Sequence, residues 1–230
     1  MSSITPLDGP ESFRQPTERT GNTVPDINLR ITQAFSNIGK GYSAIEKFCM
    51  AVNVHPFSSR TYSKCIKLLH TAYGIAAETL QSEVHREVRK AYEAPTDVPV
   101  VDISVSFDGS WLTRGHTSLI GLACVIDILT GYVIDFEVMC KVCRNCSVEK
   151  RELGESSAEY DIWFEGHRKD CVVNHYGSST SMEMEAALIL WERSQEMGFR
   201  YSTLLSDGDC KTFNYITEKN VYGDKFEIYI

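Results

Sequence analysis

Two stretches of this chain run an apolar segment straight into a bare carboxylate. "VDISVSFDGSW" carries Asp108, and "RYSTLLSDGD" carries Asp207. In the first, the two-residue strand period puts Val101, Ile103, Val105 and Phe107 on one face, with Asp102, Ser104, Ser106 and Asp108 on the other. Two carboxylates at the ends of neighbouring strands would repel and raise one another's pKa, so a shared divalent metal is their natural occupant. Hard oxygen ligands suit Mg²⁺ or Mn²⁺, and two such ions roughly 3.5–4 Å apart can clamp both oxygens of a phosphoryl transfer. Asp-Gly is also a common turn dipeptide, and Asp108-Gly109 and Asp207-Gly208 each admit that simpler reading.

A second set of donors is softer. Cys143-x₂-Cys146-x₂₀-His167-x₃-Cys171 has the spacing of a structural zinc site, and thiolate-plus-imidazole tetrahedra suit Zn²⁺. Cys140 or His175 could replace one member. The segment between the two pairs is polar and acidic apart from Ile162, Trp163 and Phe164, so a metal staple has a physical purpose there. Cys49, Cys65, Cys124 and Cys210 lie in apolar or helical contexts and read as buried thiols. Trp111 and Arg114 follow the first aspartate, where contact with DNA or simple packing are the two readings. His116 reads as a hydrogen-bonded loop residue. Ser178, Ser179 and Ser181 have no Gly-x-Ser-x-Gly elbow around them, and helix capping explains them better than nucleophilic chemistry.

The elements that must hold these residues follow from periodicity. The strand 100–107 is followed by "TSLIGLACVIDI" and "YVIDFEVMC", a hairpin joined by "LTG". An irregular Cys-containing insert spans 140–176. A helix then begins near "SSTSMEME", where Thr180 to Glu183 has capping-box spacing, and stops at Gly198. A short strand leads to Asp207, and a short helix runs from Cys210 to Lys219. This is a βββαβα order, in which the first and fourth strands are often neighbours. Before it lie helices expected over 44–52, 59–72 and 74–92, and two of them around a short turn could form a helix-turn-helix. Residues 1–25 read as a disordered tail, 26–97 as a helical module with possible DNA-binding use, and 98–230 as the α/β domain with its insert.

Composition narrows the function class. The 230 residues are 43% hydrophobic, enough for one sizeable core beside a smaller helical module. No window approaches the roughly 18–20 continuous apolar residues of a membrane span, so no membrane partner is expected. No signal-peptide run begins the sequence, and the eight cysteines therefore read as reduced thiols or metal ligands. The net charge of −8 argues against indiscriminate coating of nucleic acid. Residues 40–90 nevertheless carry eight Lys and Arg against four Glu, ahead of an acidic second part.

Taken in order, "VSFDGSWLTRGHTSLIGLACVIDILTGYVIDFEV", "NHYGSSTSMEMEAALILWERS" and "YSTLLSDGDCKTFNYI" resemble the Mutator-like transposase domain. The resemblance spans about residues 25–225. It implies an RNase H-like α/β fold with a mixed sheet, and a DDE-type site in which Asp108 matches the first catalytic aspartate and Asp207 the second. It also implies Mg²⁺ or Mn²⁺ at those aspartates, DNA in the form of transposon ends as partner, possible homo-oligomers and nuclear localisation. Such enzymes cut DNA strands and join 3′-hydroxyl ends to target DNA. The third acid of a DDE site is not evident here. Glu218, Asp224 and Glu227 follow Asp207, but none sits on a recognisable late helix. The expectation is a truncated or inactive copy, with a non-catalytic DNA- or protein-binding remnant as the alternative.

Overall fold

The computed structural model describes residues 24–113, 118–205 and 210–223. Residues 1–23 of the tail expected over 1–25, Arg114 and His116, Asp207, and the acids Asp224 and Glu227 lie outside the described residues, as does the side chain of Cys210. The chain divides between Thr79 and Leu80 into two compact units.

The first unit is helical. It holds α1 (Asp26–Asn37), α2 (Tyr42–Ala51) and the first part of α3 (Ser59–Ala91). Val24, Ile45, Cys49, Cys65 and Leu69 are its buried apolar positions among the described residues, and Phe35 meets Phe48 edge-on with ring centroids 5.7 Å apart. α3 is one helix of 33 residues, not the two that the sequence suggested. Gly74 at its middle costs about 1 kcal/mol relative to alanine, but no proline or competing cap accompanies it. Helix therefore continues through it.

The second unit is built on a four-stranded sheet of β1 (Val101–Trp111), β2 (Ile120–Asp127), β3 (Val133–Cys140) and β4 (Phe199–Leu205). Its order is β3-β2-β1-β4, with β1 antiparallel to β2 and parallel to β4. The sheet carries α6 (Ser179–Ser194) and α7 (Cys210–Lys219), completing the βββαβα order of an RNase H-like α/β fold. The β2–β3 hairpin closes as expected: Thr130 donates through N and Oγ1 to the buried Asp127 carboxylate, and Gly131 takes the positive φ of 72° that the turn needs.

One face of the sheet is the core. Ile103, Val105, Ala123, Val125, Ile134, Met139, Phe199, Tyr201 and Leu204 project from it against Met182, Ala186, Ala187, Leu190 and Trp191 of α6 and Ile216 of α7. Each fully buried large side chain contributes about 1.5–3 kcal/mol. Trp191 sits at the centre, edge-on to both Phe107 and Tyr201 at 6.0 and 4.9 Å. α6 is capped by Ser178, whose Oγ accepts from the Ser181 amide at 3.1 Å, so the cap lies two residues before the Thr180 of the sequence reading. The last turns of α3 belong to this unit. Gln81 and His85 bond the Ile134 carbonyl, Val88 enters the core, and Tyr92 donates to Asp127 at 2.8 Å.

Candidate functional site

β1 does not turn at Asp108-Gly109. It continues in register through Trp111, with Asp108 opposite Cys124 and Gly109 opposite Ala123. The turn explanation of this dipeptide therefore fails, and the strand is longer than the sequence indicated. Asp108 is exposed on the sheet face away from α6. Cys124 beside it is half-buried rather than fully buried. Burial, followed by the Asp108 charge, holds the Cys124 thiol above its ordinary pKa.

Glycines 109 and 121 exist for Trp111. Its indole lies flat across both strands, so a Cβ at Gly121 would overlap the ring carbons and one at Gly109 would come within 3.1 Å of them. Trp111 is thus a packing residue at the end of β1, the simpler of its two readings. Nearby, Ser118 is buried and organises the entry to β2. Its Oγ accepts from the Thr113 amide at 3.2 Å and donates to the Ile120 carbonyl at 2.6 Å. Its own carbonyl accepts from Ser179 Oγ at 3.1 Å, which fastens the first turn of α6 to this end of the sheet. Glu183, one turn further along α6, has its carboxyl carbon 3.7 Å from where a Cβ on residue 109 would stand. In the sequence Glu183 stood as the capping-box partner of Thr180.

The parallel pairing of β1 with β4 ends at Ser106 opposite Leu205. Asp108 is two residues beyond the first of these. In the sequence, Asp207 is two residues beyond the second, and it lies outside the described residues. Glu218 is exposed near the far end of α7.

The insert is more ordered than "irregular" implied. Cys143 caps α4 (Arg144–Glu149), Cys146 lies in its first turn, His167 ends α5 (Ala158–His167), and Cys171 follows a 3₁₀ turn. Helical turns thus bring each close-spaced pair together. The four ligand atoms all lie within 4.8 Å of one another. Cys143 Sγ is 3.3 Å from His167 Nε2, and Cys146 Sγ is 3.6 Å from Cys171 Sγ. Four ligands on a tetrahedral ion with bonds near 2.3 Å would stand about 3.8 Å apart, so little contraction is needed for this set to hold Zn²⁺.

Electrostatics point the same way. Burial opposes ionisation of Cys143, but bonds from the Cys146 amide and His167 outweigh it and bring its pKa down to about 6. Burial, then the neighbouring Cys171 and Cys143, push Cys146 up to about 12. A buried thiol cluster can hold one thiolate alone; a divalent cation would let all three ionise. Tyr160, Trp163 and Phe164 back the cluster, with Trp163 stacked on His167 at 4.6 Å. A cavity of about 410 Å³ opens beside it, bounded by Lys141, Lys150, Tyr160 and Tyr176 among others.

Neither proposed substitute joins the cluster. Cys140 Sγ donates to the Val142 carbonyl, and His175 is buried with its Nδ1 on Glu185 at 2.6 Å. His175 Nε2 faces the Ser178 carbonyl at 3.0 Å, and Ser181 Oγ donates to that same carbonyl at 2.9 Å. Nε2 must donate there, so the Ser181–His175–Glu185 row is a capping network and provides no activated nucleophile.

Among the described residues, no helix is long and apolar enough to cross a membrane. A family model described as Mutator-like transposase matches residues 8–229. No curated protein and no solved structure matches the chain.

Proposed function

Because this chain belongs to the Mutator-like transposase family, we propose that its second unit is a DDE-type domain for metal-dependent cleavage and transfer of DNA strands. Asp108 and Asp207 are the residues that would hold Mg²⁺ or Mn²⁺, and Cys143, Cys146, His167 and Cys171 would hold a structural Zn²⁺. The observation that carries the reading is the parallel pairing that ends at Ser106 and Leu205. It makes β1 and β4 immediate neighbours, and in the sequence Asp108 and Asp207 each follow the last paired residue by two positions.

The donor set fits. Asp108 offers an exposed, all-oxygen ligand of the kind Mg²⁺ accepts, on a strand held rigid by β2. A bound divalent cation would supply charge neutralisation at the scissile phosphate. The chain's own part is placement. β1 holds Asp108, and the anchoring of α6 through Ser179 and Ser118 keeps that end of the sheet from opening. The basic stretch over 40–90 supports DNA as the partner, and membership of a transposase family supports a nuclear location.

The test is nicking of duplexes that carry the element's own end sequences, in Mn²⁺. Strand cleavage lost in both Asp108→Asn and Asp207→Asn supports the reading. Cleavage that survives both substitutions defeats it.

A further inference from the structure

We propose that the cavity beside the cysteine cage holds one unpaired nucleotide of the DNA substrate, its base against Tyr176 and its phosphate on Lys141. The inference rests on the reading above, in which the partner is DNA, and assigns a further contact surface on the second unit.

The chemistry of the walls is the first argument. The cavity measures about 410 Å³, far more than a single metal ion needs, and falls within the roughly 300–1,000 Å³ of sites that bury a small ligand. Beyond the cage cysteines it is lined by Lys141, Lys150, Tyr160, Phe164, Val173 and Tyr176. Tyr160 and Phe164 form a stacked pair with centroids 6.0 Å apart, and Lys150 Nζ stands 5.9 Å over the Tyr160 ring. Tyr176 is 82% exposed, so its ring is open to a flat partner. Aromatic rings for a base and ammonium groups for a phosphate are what a nucleotide requires. Lys141 enters no ion pair among the described residues. Lys150 is bonded to Glu155 at 2.6 Å, but an exposed pair of this kind is worth little and a phosphate can replace it.

Rigidity is the second. Asn174 Nδ2 donates to the Val138 carbonyl at 2.8 Å, and its Oδ1 accepts from the Cys140 amide at 2.6 Å. The amides of Asn174 and His175 both donate to the Cys140 carbonyl, at 3.0 and 3.2 Å. Tyr176 therefore follows backbone that is fastened to the end of β3, and little further ordering is needed when a ligand arrives.

Placement is the third. Cys140 pairs with Ile120, and Trp111, three residues past Asp108, pairs with Gly121, so Lys141 and Asp108 lie at the same end of the sheet. Asp108 is aligned with Cys124, and Cys124 with Phe136. Two strand spacings and four residues of rise thus separate Asp108 from Cys140, roughly 16 Å. At about 3.4 Å per nucleotide this is some five nucleotides of one strand. A recess can take a base only when that base leaves its stack, which selects an unpaired nucleotide over intact duplex.

The experiment is fluorescence anisotropy of the full, zinc-replete chain with labelled duplexes of the element's end sequence, either blunt or carrying a single-stranded extension of about six nucleotides. Wild type should bind the extended probe about tenfold more tightly than the blunt one. Tyr176→Ala should remove about fivefold or more of that preference, the lower end of what stacking one base supplies, while Tyr176→Phe keeps it. Lys141→Gln should lower the salt slope on the extended probe by about one. Lys47→Gln, exposed on α2, should leave the preference at its wild-type value. A blunt duplex that is bound and nicked in Mn²⁺, with no preference for the extension or with one that survives both Tyr176→Ala and Lys141→Gln, overturns the role of the cavity and leaves the transposase reading standing. No binding to either probe overturns both. Zinc content and unfolding midpoints establish that each variant is folded. Should Tyr176→Ala not fold, 5-iododeoxyuridine in the extension provides a photocrosslink to wild type; attachment within residues 141–176 supports the proposal, and attachment only elsewhere sinks it.

Discussion

Cys143 Sγ stands 3.3 Å from Nε2 of His167, although the two are 24 positions apart in the chain. The contact joins the cap of α4 to the last residue of α5, and with Cys146 and Cys171 it closes a four-ligand cage. Purified protein should contain about one equivalent of zinc by elemental analysis. Cys171→Ser should lower that content and expose the insert to limited proteolysis, while the sheet stays protected. Less than half an equivalent in wild type, unaltered by the substitution, would remove zinc from the account.

Loading that cage should release protons. Near neutral pH the Cys143 thiol, at about 6, is already ionised, whereas Cys146, at about 12, is not. Zinc must therefore displace at least one proton, from Cys146, and binding should weaken as pH falls. The sign follows from the lowered Cys143 value as well. Its thiolate is favoured in the folded cage above the ordinary thiol range, and that advantage is lost as pH drops through about 6. Calorimetry in buffers of differing ionisation enthalpy counts the protons directly; a count of zero contradicts this picture.

Cys140 and His175 should be dispensable for the metal. Cys140→Ser and His175→Gln should each retain one equivalent of zinc. His175→Gln should still lower stability by about 1–3 kcal/mol, because Glu185 and the Ser178 carbonyl lose a buried partner. Denaturant midpoints and metal content measured on the same preparation separate the two effects.

Gly121→Ala should destabilise the second unit by about 1–3 kcal/mol, since the added methyl overlaps the Trp111 indole. Adding Trp111→Leu should recover part of the loss. Strict additivity of the two substitutions in denaturant melts would show that the ring is free to move aside.

The ion pair between Arg193 and Asp135 should behave as a buried one. Asp135 is 2% exposed and takes Arg193 in a two-pronged contact at 2.7 and 2.9 Å, while Arg193 also holds Glu137. Arg193→Met should cost roughly 3–5 kcal/mol by leaving that buried carboxylate without its counter-charge, with only Gln81 and the Phe136 amide still donating to it, and adding Asp135→Asn should restore much of the loss. Equal midpoints for the single and double variants would contradict this reading.

The order of elements was legible in the sequence because periodicity is local. Alternation in "VDISVSF", the paired apolar runs around "LTG" and the serine cap of α6 each betray themselves within a few residues. Metal-ligand spacing was legible for the same reason, since a Cys-x₂-Cys pair needs only one helical turn to converge. One local signal misled, since Gly74 looked like a helix boundary and the helix carries on; Asp108-Gly109 admitted a turn as the simpler reading, and there the strand carries on. Tertiary structure alone decided that β1 and β4 pair in parallel, that Cys140 and His175 stand apart from the cage, and that Glu183 leans on Gly109. Each of those depends on surfaces distant in sequence meeting around a common core. No short window of residues contains that geometry.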